Sequence, residues 1–390
     1  CKMELIIDMD KNKIDCIHVA VIGGAHHNTL GVIRSLGEQG IKKENIHVLL
    51  IGDHITNRNI ISTSKYVLAR NVSHNESCEK IVMWLRKLAE DGKKRVVVCC
   101  SDGASEVVIS NKQELSDNFY LPSSKIDISQ LMEKNVQDAV AISCGLHVPQ
   151  STVITQVNDF KWNRFPCITK PLKSVIGAGK CDICIASSYS ELESILGKIE
   201  AKEVQIQEFI LKKMEFQLIG CSLDGGETII IPGYTRILRQ PRNTNTGYLE
   251  YSPIEGLDYD SEAVHEFIRK IGYSGLFSVE FIRDENNKDY FLEINMSNDG
   301  NAYCVKSAGV NLPFIWCYYS VFGQLPKLPM TFSNSIRFIP DFNDLKVALS
   351  QKKALEWFAD FAKADSHSIF NSKDIGPFFV EIENQIKRHI

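Results

Sequence analysis

The stretch VEFIRDENNKDYFLEIN (residues 279–295) carries two acids spaced for metal chemistry. Two alternating apolar runs flank the turn-rich Asp284–Lys288, with Asn286-Asn287 at its centre, which is the pattern of a β-hairpin. A turn symmetric about Asn286-Asn287 sets Glu280 opposite Glu293, with β-carbons roughly 5 Å apart. Asn295 lies two residues beyond Glu293 and shares its face, while Phe281, Phe291 and Ile294 are assigned to the core face. Opposed carboxylates repel unless a cation lies between them. Glu280, Glu293 and the Asn295 amide oxygen form an all-oxygen set suited to Mg2+, which takes its remaining ligands from water and phosphates. Mn2+ can substitute in such a set. The plainer alternative is a solvated hairpin with incidental acids.

An open magnesium site implies a phosphate ligand and cations upstream. Lys170 ends an apolar strand (CITK) and is fixed by Pro171. A loop with Lys173, Ser174, Gly177, Gly179 and Lys180 follows, able to fold its N–H groups over phosphates or to be only a mobile turn. It is not a Walker loop, since no GK[ST] opens a helix. Lys134, on a preceding helix, is either a second phosphate cation or a surface lysine. In VQIQEFILKKMEF (204–216) a strand runs to Gln207-Glu208 and then a linker. Such an edge can offer backbone groups to a purine, and Glu215 is the acid placed to grip ribose hydroxyls.

The elements that must hold these residues fall into two patterns. The first ~120 residues alternate strands and helices: Ile17–Ile22, Thr29–Leu36, His47–Ile51, Glu79–Glu90 and Arg95–Cys100. That order predicts a parallel α/β sheet. The glycine turn after the first strand (Gly23, Gly24, Gly31) lacks GxGxxG spacing, which leaves a nicotinamide dehydrogenase as a weak rival. At that edge of the sheet His26, His27, Asn28 and Asp102 can reach a substrate. After a helix near 128–144, short strands dominate from 165 to 330, an α+β pattern of antiparallel sheets. The predicted units are an N-terminal domain (1–122), a second domain (123–330) with a lid over 150–208, and a C-terminal extension (331–390) holding one helix, Leu345–Ala364. With 390 residues, 44% hydrophobic and net charge -4, the chain is a poor nucleic-acid binder. No apolar run reaches the roughly 18–20 residues of a membrane span. Twelve cysteines are scattered, several within apolar strands, as free thiols are in a reducing cytoplasm.

Taken in order, LMEKN, ITKPLKSVIGAGK, IQEFI and VEF…LEIN resemble the motifs of the ATP-grasp superfamily over nearly the whole chain. SKYV (64–67) and GLHVPQS (145–151) resemble its carboxylate–amine ligase branch, which includes D-aspartate ligase. The resemblance implies an N-terminal α/β domain followed by an ATP-grasp domain, and ATP with Mg2+ as cofactors. It implies that Lys134 and Lys170 hold phosphates and that residues 173–180 form the lid loop. Glu208, Phe209 and Ile210 would contact adenine, Glu215 ribose, and Glu280, Glu293 and Asn295 the metal. The branch commonly has an arginine two residues past the motif asparagine; here that residue is Ser297. Arg236 and Arg239 of TRILRQPR are the candidate catalytic replacements, with Arg242 beside them.

The implied reaction joins a small-molecule carboxylate to an amine through an acyl phosphate, and the absence of a Ser–His or Cys–His arrangement agrees with it. Amino acids, peptides and cell-wall precursors are the expected substrate types, a homodimer is compatible, and the cytoplasm is the expected location. The alternatives are an ATP-binding regulatory protein without turnover, suggested by Ser297, and a bicarbonate-using carboxylase.

Overall fold

The computed structural model describes residues 11–154, 161–171, 183–199, 203–239 and 246–389. Three sheets organise it. The first contains β1 (Val19–Gly23), β2 (Ile46–Ile51), β3 (Val72–Asn75), β4 (Arg95–Cys99) and β5 (Phe119–Tyr120), all parallel, in the order β3-β2-β1-β4-β5. β1 is buried throughout because helices cover both faces. Val19 and Val21 enter the core shared with the helix His27–Glu38, and Ala20 and Ile22 the one under the helix Ile81–Ala89.

A small antiparallel sheet follows: β6 (Ser151–Ile154), β7 (Cys167–Pro171), β8 (Cys184–Ala186) and β9 (Val204–Glu208), in the order β6-β9-β7-β8. With the helix Tyr189–Leu196 it closes its own core around Cys167, Ala186, Leu192 and Ile206. Phe209–Leu211 then leads into the large sheet.

The large sheet contains β10 (Lys212–Leu223), β11 (Thr228–Ile230), β12 (Gly233–Arg239), β13 (Tyr248–Pro253), β14 (Gly275–Asp284), β15 (Asp289–Asn295), β16 (Ile336–Ile339) and β17 (Ser366–His367). Its order is β15-β14-β10-β12-β13-β16-β17, with β11 paired to β10. Strict alternation along β10 sends Phe216 and Leu218 to one core and Ile219 and Cys221 to the other. Helix Ser261–Ile271 packs on the first face with Val264, Phe267 and Ile268; Asp260 caps its start and Gly272, at φ 59, ends it. Helices Tyr303–Ala308 and Leu312–Phe322 fill the second face and merge it with the core of the first domain.

Several expected boundaries change. Helix Leu345–Ala364 is two helices, Asp341–Ser350 and Ala354–Lys363, broken where Lys352 turns to φ 61. The extension after 330 supplies β16 and β17 to the large sheet and so continues it. The helix near 128–144 begins as a separate turn, Ile128–Leu131, before Lys134–Ser143. Among the described residues no helix is long and apolar enough to cross a membrane.

Candidate active site

Glu280 and Glu293 are direct partners across β14 and β15. The route to that pairing differs from a symmetric turn. The loop is three residues, closed by Asp284 N–H on the Lys288 carbonyl (3.0 Å), with Asn287 at φ 62. Nearer the turn, Phe281 therefore faces Phe291, and Leu292 is an extra residue bulged out of β15. Without that bulge Phe291 and Glu293, two apart, would share a face. With it Phe291 turns into the core against Phe281 and Phe267, and Glu293 turns to the opposite face beside Glu280. The Phe291 N–H donates to the His147 carbonyl (2.8 Å), which gives the irregular edge a partner.

The acids are met from two sides. Gln137, on helix Lys134–Ser143, accepts the Ile294 N–H (3.0 Å) and donates to the Ile294 carbonyl (3.2 Å). It thereby pairs the outer edge of β15 with a side chain. Lys134, one turn earlier on the same face, then reaches Glu293 at 2.8 Å. From the small sheet comes Lys170 on β7, donating to Gln207 Oε1 on β9 (2.7 Å). Burial, then Lys134, lowers Lys170 to about 8, while Glu293, Asp138 and Glu280 oppose. Asp138, which accepts from Gln205 (3.3 Å), is pushed up to about 6 by burial.

One row crosses the sheet here: Thr235, Gln217, Glu280 and Glu293 are successive direct partners. Gln217 Nε2 donates to Asp299 Oδ2 (2.7 Å), Ser278 Oγ donates to the same oxygen (2.9 Å), and Asn301 donates to Gln217 Oε1 (3.2 Å). Asn295 Nδ2 donates to Glu280 Oε1 (3.2 Å). Glu215, bonded to Lys212 (2.5 Å), lies on β10 two residues before Gln217 and so on the same face. Glu280 is pushed well up by its own burial, then by Glu293, Asp299 and Glu215, against Lys134 alone among the named causes. Glu293 is held down by Lys134.

Negative charge thus converges on Glu280, and this is the observation that fits a divalent cation. Among the described residues no three His, Cys, Asp or Glu side chains are grouped as a complete metal cage. Two carboxylates and one amide suit Mg2+, which keeps waters and phosphate oxygens as its other ligands.

Beyond Asn295 the chain is fastened to the first domain. The Met296 N–H and Ser297 Oγ donate to Asp102 Oδ1 (3.1 and 3.0 Å), at the start of helix Asp102–Ser110. The Asn298 N–H donates to the Cys99 carbonyl (2.8 Å), and Asn28 donates to the Asn298 carbonyl (2.6 Å). Burial pushes Asp102 up to about 7, with Glu293 and Asp299 adding to it and the Ser297 and Met296 donors opposing. His27 lies at the same turn, half-buried and lowered to about 3 chiefly by burial, with Nε2 unpartnered among the described residues. His26 accepts the Asn28 N–H (3.3 Å) as a helix cap.

The structure therefore gathers Lys134, Lys170, Glu215, Glu280, Glu293 and Asn295. Glu208 ends β9, 3.9 Å from Arg164, with Phe209 and Ile210 in the linker that follows. Lys173, Ser174, Gly177, Gly179, Lys180 and Arg242 lie outside the described residues. The two candidate arginines fall elsewhere. Arg236 pairs with Phe216, on the face opposite the acids, and donates to Glu250 (2.9 Å). Arg239 is buried between Asp344 (2.6 Å) and Asp360. Both have acidic partners other than Glu280 and Glu293. Gln217, Ser278, Asp299 and Asn301 were missed. Alternation along β10 puts Gln217 in phase with Glu215, alternation along β14 puts Ser278 in phase with Glu280, and the polar run SNDGN just past Asn295 marks Asp299 and Asn301.

No family model matches the chain. It is 26% identical over 253 residues to the D-aspartate ligase of Enterococcus faecium, covering 58% of each chain. The chain spans less than two thirds of the length of that relative. Two solved structures share its fold. One is the L-amino acid ligase from Bacillus licheniformis (TM-score 0.58, 14% identity, 78% of this chain and 74% of that one). The other is the N5-carboxyaminoimidazole synthetase from Staphylococcus aureus (TM-score 0.64, 15% identity, 86% and 87%). The latter has also been solved in complex with ADP.

Proposed function

We infer that this chain, which belongs to the ATP-grasp superfamily, is an ATP- and magnesium-dependent ligase joining a carboxylate to an amine. The observation that carries the reading is the row Gln217–Glu280–Glu293 with Lys134 and Lys170 brought against it from a helix and from a separate sheet. A strongly negative floor facing two lysines suits a nucleotide triphosphate with its cation.

In this reading Lys134 and Lys170 bind phosphate oxygens, and residues 173–180 cover them. Glu208, Phe209 and Ile210 present backbone to adenine, and Glu215 accepts from the ribose hydroxyls. Magnesium, when bound by Glu280, Glu293 and Asn295, neutralises charge on the transferring phosphoryl group. A carboxylate oxygen attacks the γ-phosphorus, the bond to ADP breaks, and an acyl phosphate forms. The amine then attacks the acyl carbon, phosphate leaves with the carbon–oxygen electrons, and the amine loses a proton to give the amide. The chain's contribution is positioning, charge and exclusion of water, which would otherwise hydrolyse the acyl phosphate. The relatives and the free thiols support small amino-acid, peptide or cell-wall-precursor substrates and a cytoplasmic setting.

Glu280→Gln and Lys134→Met, assayed for ADP release across a panel of amino acids and peptides, test this. Both variants should lose ATP turnover by at least about a hundredfold, as loss of a phosphate-stabilising group does. Near-normal turnover in Glu280→Gln would refute the metal assignment, and nucleotide binding without turnover on any acceptor would refute the ligase.

A further inference from the structure

A cavity opens beside the β1 turn. It holds about 460 Å³, within the range of small-molecule sites. The turn after β1 (Gly24, Ala25, His26) forms one wall and the loop after β2 another, at the C-terminal edge of the parallel sheet. Open α/β sheets bind ligands at that edge. The crevice between β1 and β4 is already filled by residues 296–298, so the free space is the neighbouring one, over β1 and β2.

The C-terminal helix Gly376–His389 closes this cavity with Asn384 and Lys387. The helix is fixed by Val380, which sinks into the core, and by Arg58 on Glu383 (2.6 Å). Asn384 and Lys387, four and seven residues past Val380, share its side and so overhang the sheet edge. Three isoleucines line it, Ile60 buried and Ile51 and Ile55 half-buried, with the buried Asn59 beside them. The rim carries one carboxylate, Asp53, and one ammonium, Lys387, from elements far apart in sequence. Among the described residues neither is bonded to another side chain.

We propose that this cavity binds a free α-amino acid, with its ammonium on Asp53, its carboxylate on Lys387 and its side chain over Ile51, Ile55 and Ile60. Opposite charges beside three isoleucines match a zwitterion and disfavour a mono-ion, for which one of the two charges is left repulsive. The inference rests on the ligase reading only in naming the chemical class of one reactant. The C-terminal helix thereby becomes a wall of the amino-acid site.

The test is calorimetric titration of the full chain, without nucleotide, with a panel of L- and D-amino acids and their methyl esters. At least one amino acid should bind, its ester should not, and Asp53→Asn and Lys387→Gln should each weaken binding at least about tenfold. ATP binding in both variants should match the parent, since neither residue belongs to the nucleotide site. Absence of binding by every amino acid, or binding unaffected by both substitutions, overturns the proposal while leaving the ligase reading intact. Binding that holds in a protein showing no ATP turnover refutes the ligase and leaves the amino-acid site standing.

Discussion

Asp102 offers a quantitative test of how the two halves are joined. Its carboxyl accepts from Met296 and Ser297 and is raised from 3.8 to about 7 by burial. A group whose proton affinity is higher folded than unfolded stabilises the fold below its unfolded value. That stability is lost as pH rises through the folded value, here between 3.8 and about 7. At 1.36 kcal/mol per factor of ten, the ceiling of the effect is about 4 kcal/mol. Partial solvent contact and the helix start at Asp102 both favour the charged form, so about 1–3 kcal/mol is expected. Asp102→Asn keeps an acceptor for both donors and cannot ionise. Without nucleotide or metal, its stability relative to the parent should be near zero at about pH 4. It should climb to about 1–3 kcal/mol in favour of the variant near pH 7, and stay level above. Unfolding followed by circular dichroism across that range reads it directly. A difference that does not change with pH, or a variant less stable near pH 8, would refute the buried-carboxyl account.

Two further outcomes follow from other contacts. Gln137→Leu leaves both backbone groups of Ile294 without their side-chain partner and lets Lys134 drift. Nucleotide affinity should fall on the order of tenfold, about 1.4 kcal/mol, with a stability loss of about 1–3 kcal/mol per orphaned group; unchanged affinity in a titration would remove Gln137 from the positioning of the site. Arg34 is wholly buried and bonds Asp374 (2.9 Å), which also accepts from Ser64 and from the Lys65 N–H. Arg34→Met should destabilise by about 3–5 kcal/mol in urea unfolding, the effect of stranding a buried carboxylate, and a loss under about 1 kcal/mol would mean Asp374 finds water instead.

The sequence was most legible where chemistry is local. Parallel strands such as Arg95–Cys99 announce themselves as β-branched runs, and the opposed acids follow from a hairpin read within residues 279–295. The bulge at Leu292 was not legible, because its cause is packing: Phe291 must enter a core built by Phe216 and Phe267, which are distant in sequence. The same holds for Asp299, whose partners Gln217 and Ser278 belong to strands far upstream. Nothing local in TRILRQPR marks the partners of Arg236 and Arg239. Only the sheet register shows that Arg236 faces away from the acids and that Arg239 is claimed by a helix over 100 residues later. The break at Lys352 has no glycine or proline to mark it, and we have no physical account of it.

The crevice at the β1–β4 junction, which folds of this kind keep open for a guest, is occupied by the chain's own residues 296–298. The acids' strand is therefore docked like an inhibitor that never dissociates, its local concentration fixed by the covalent link. The parallel sheet, the acids and Lys134 then make up one frame. The small sheet, which carries Lys170 and closes a core of its own, is the jaw. Under the proposed ligase reading, nucleotide exchange would require only the jaw to swing against that frame.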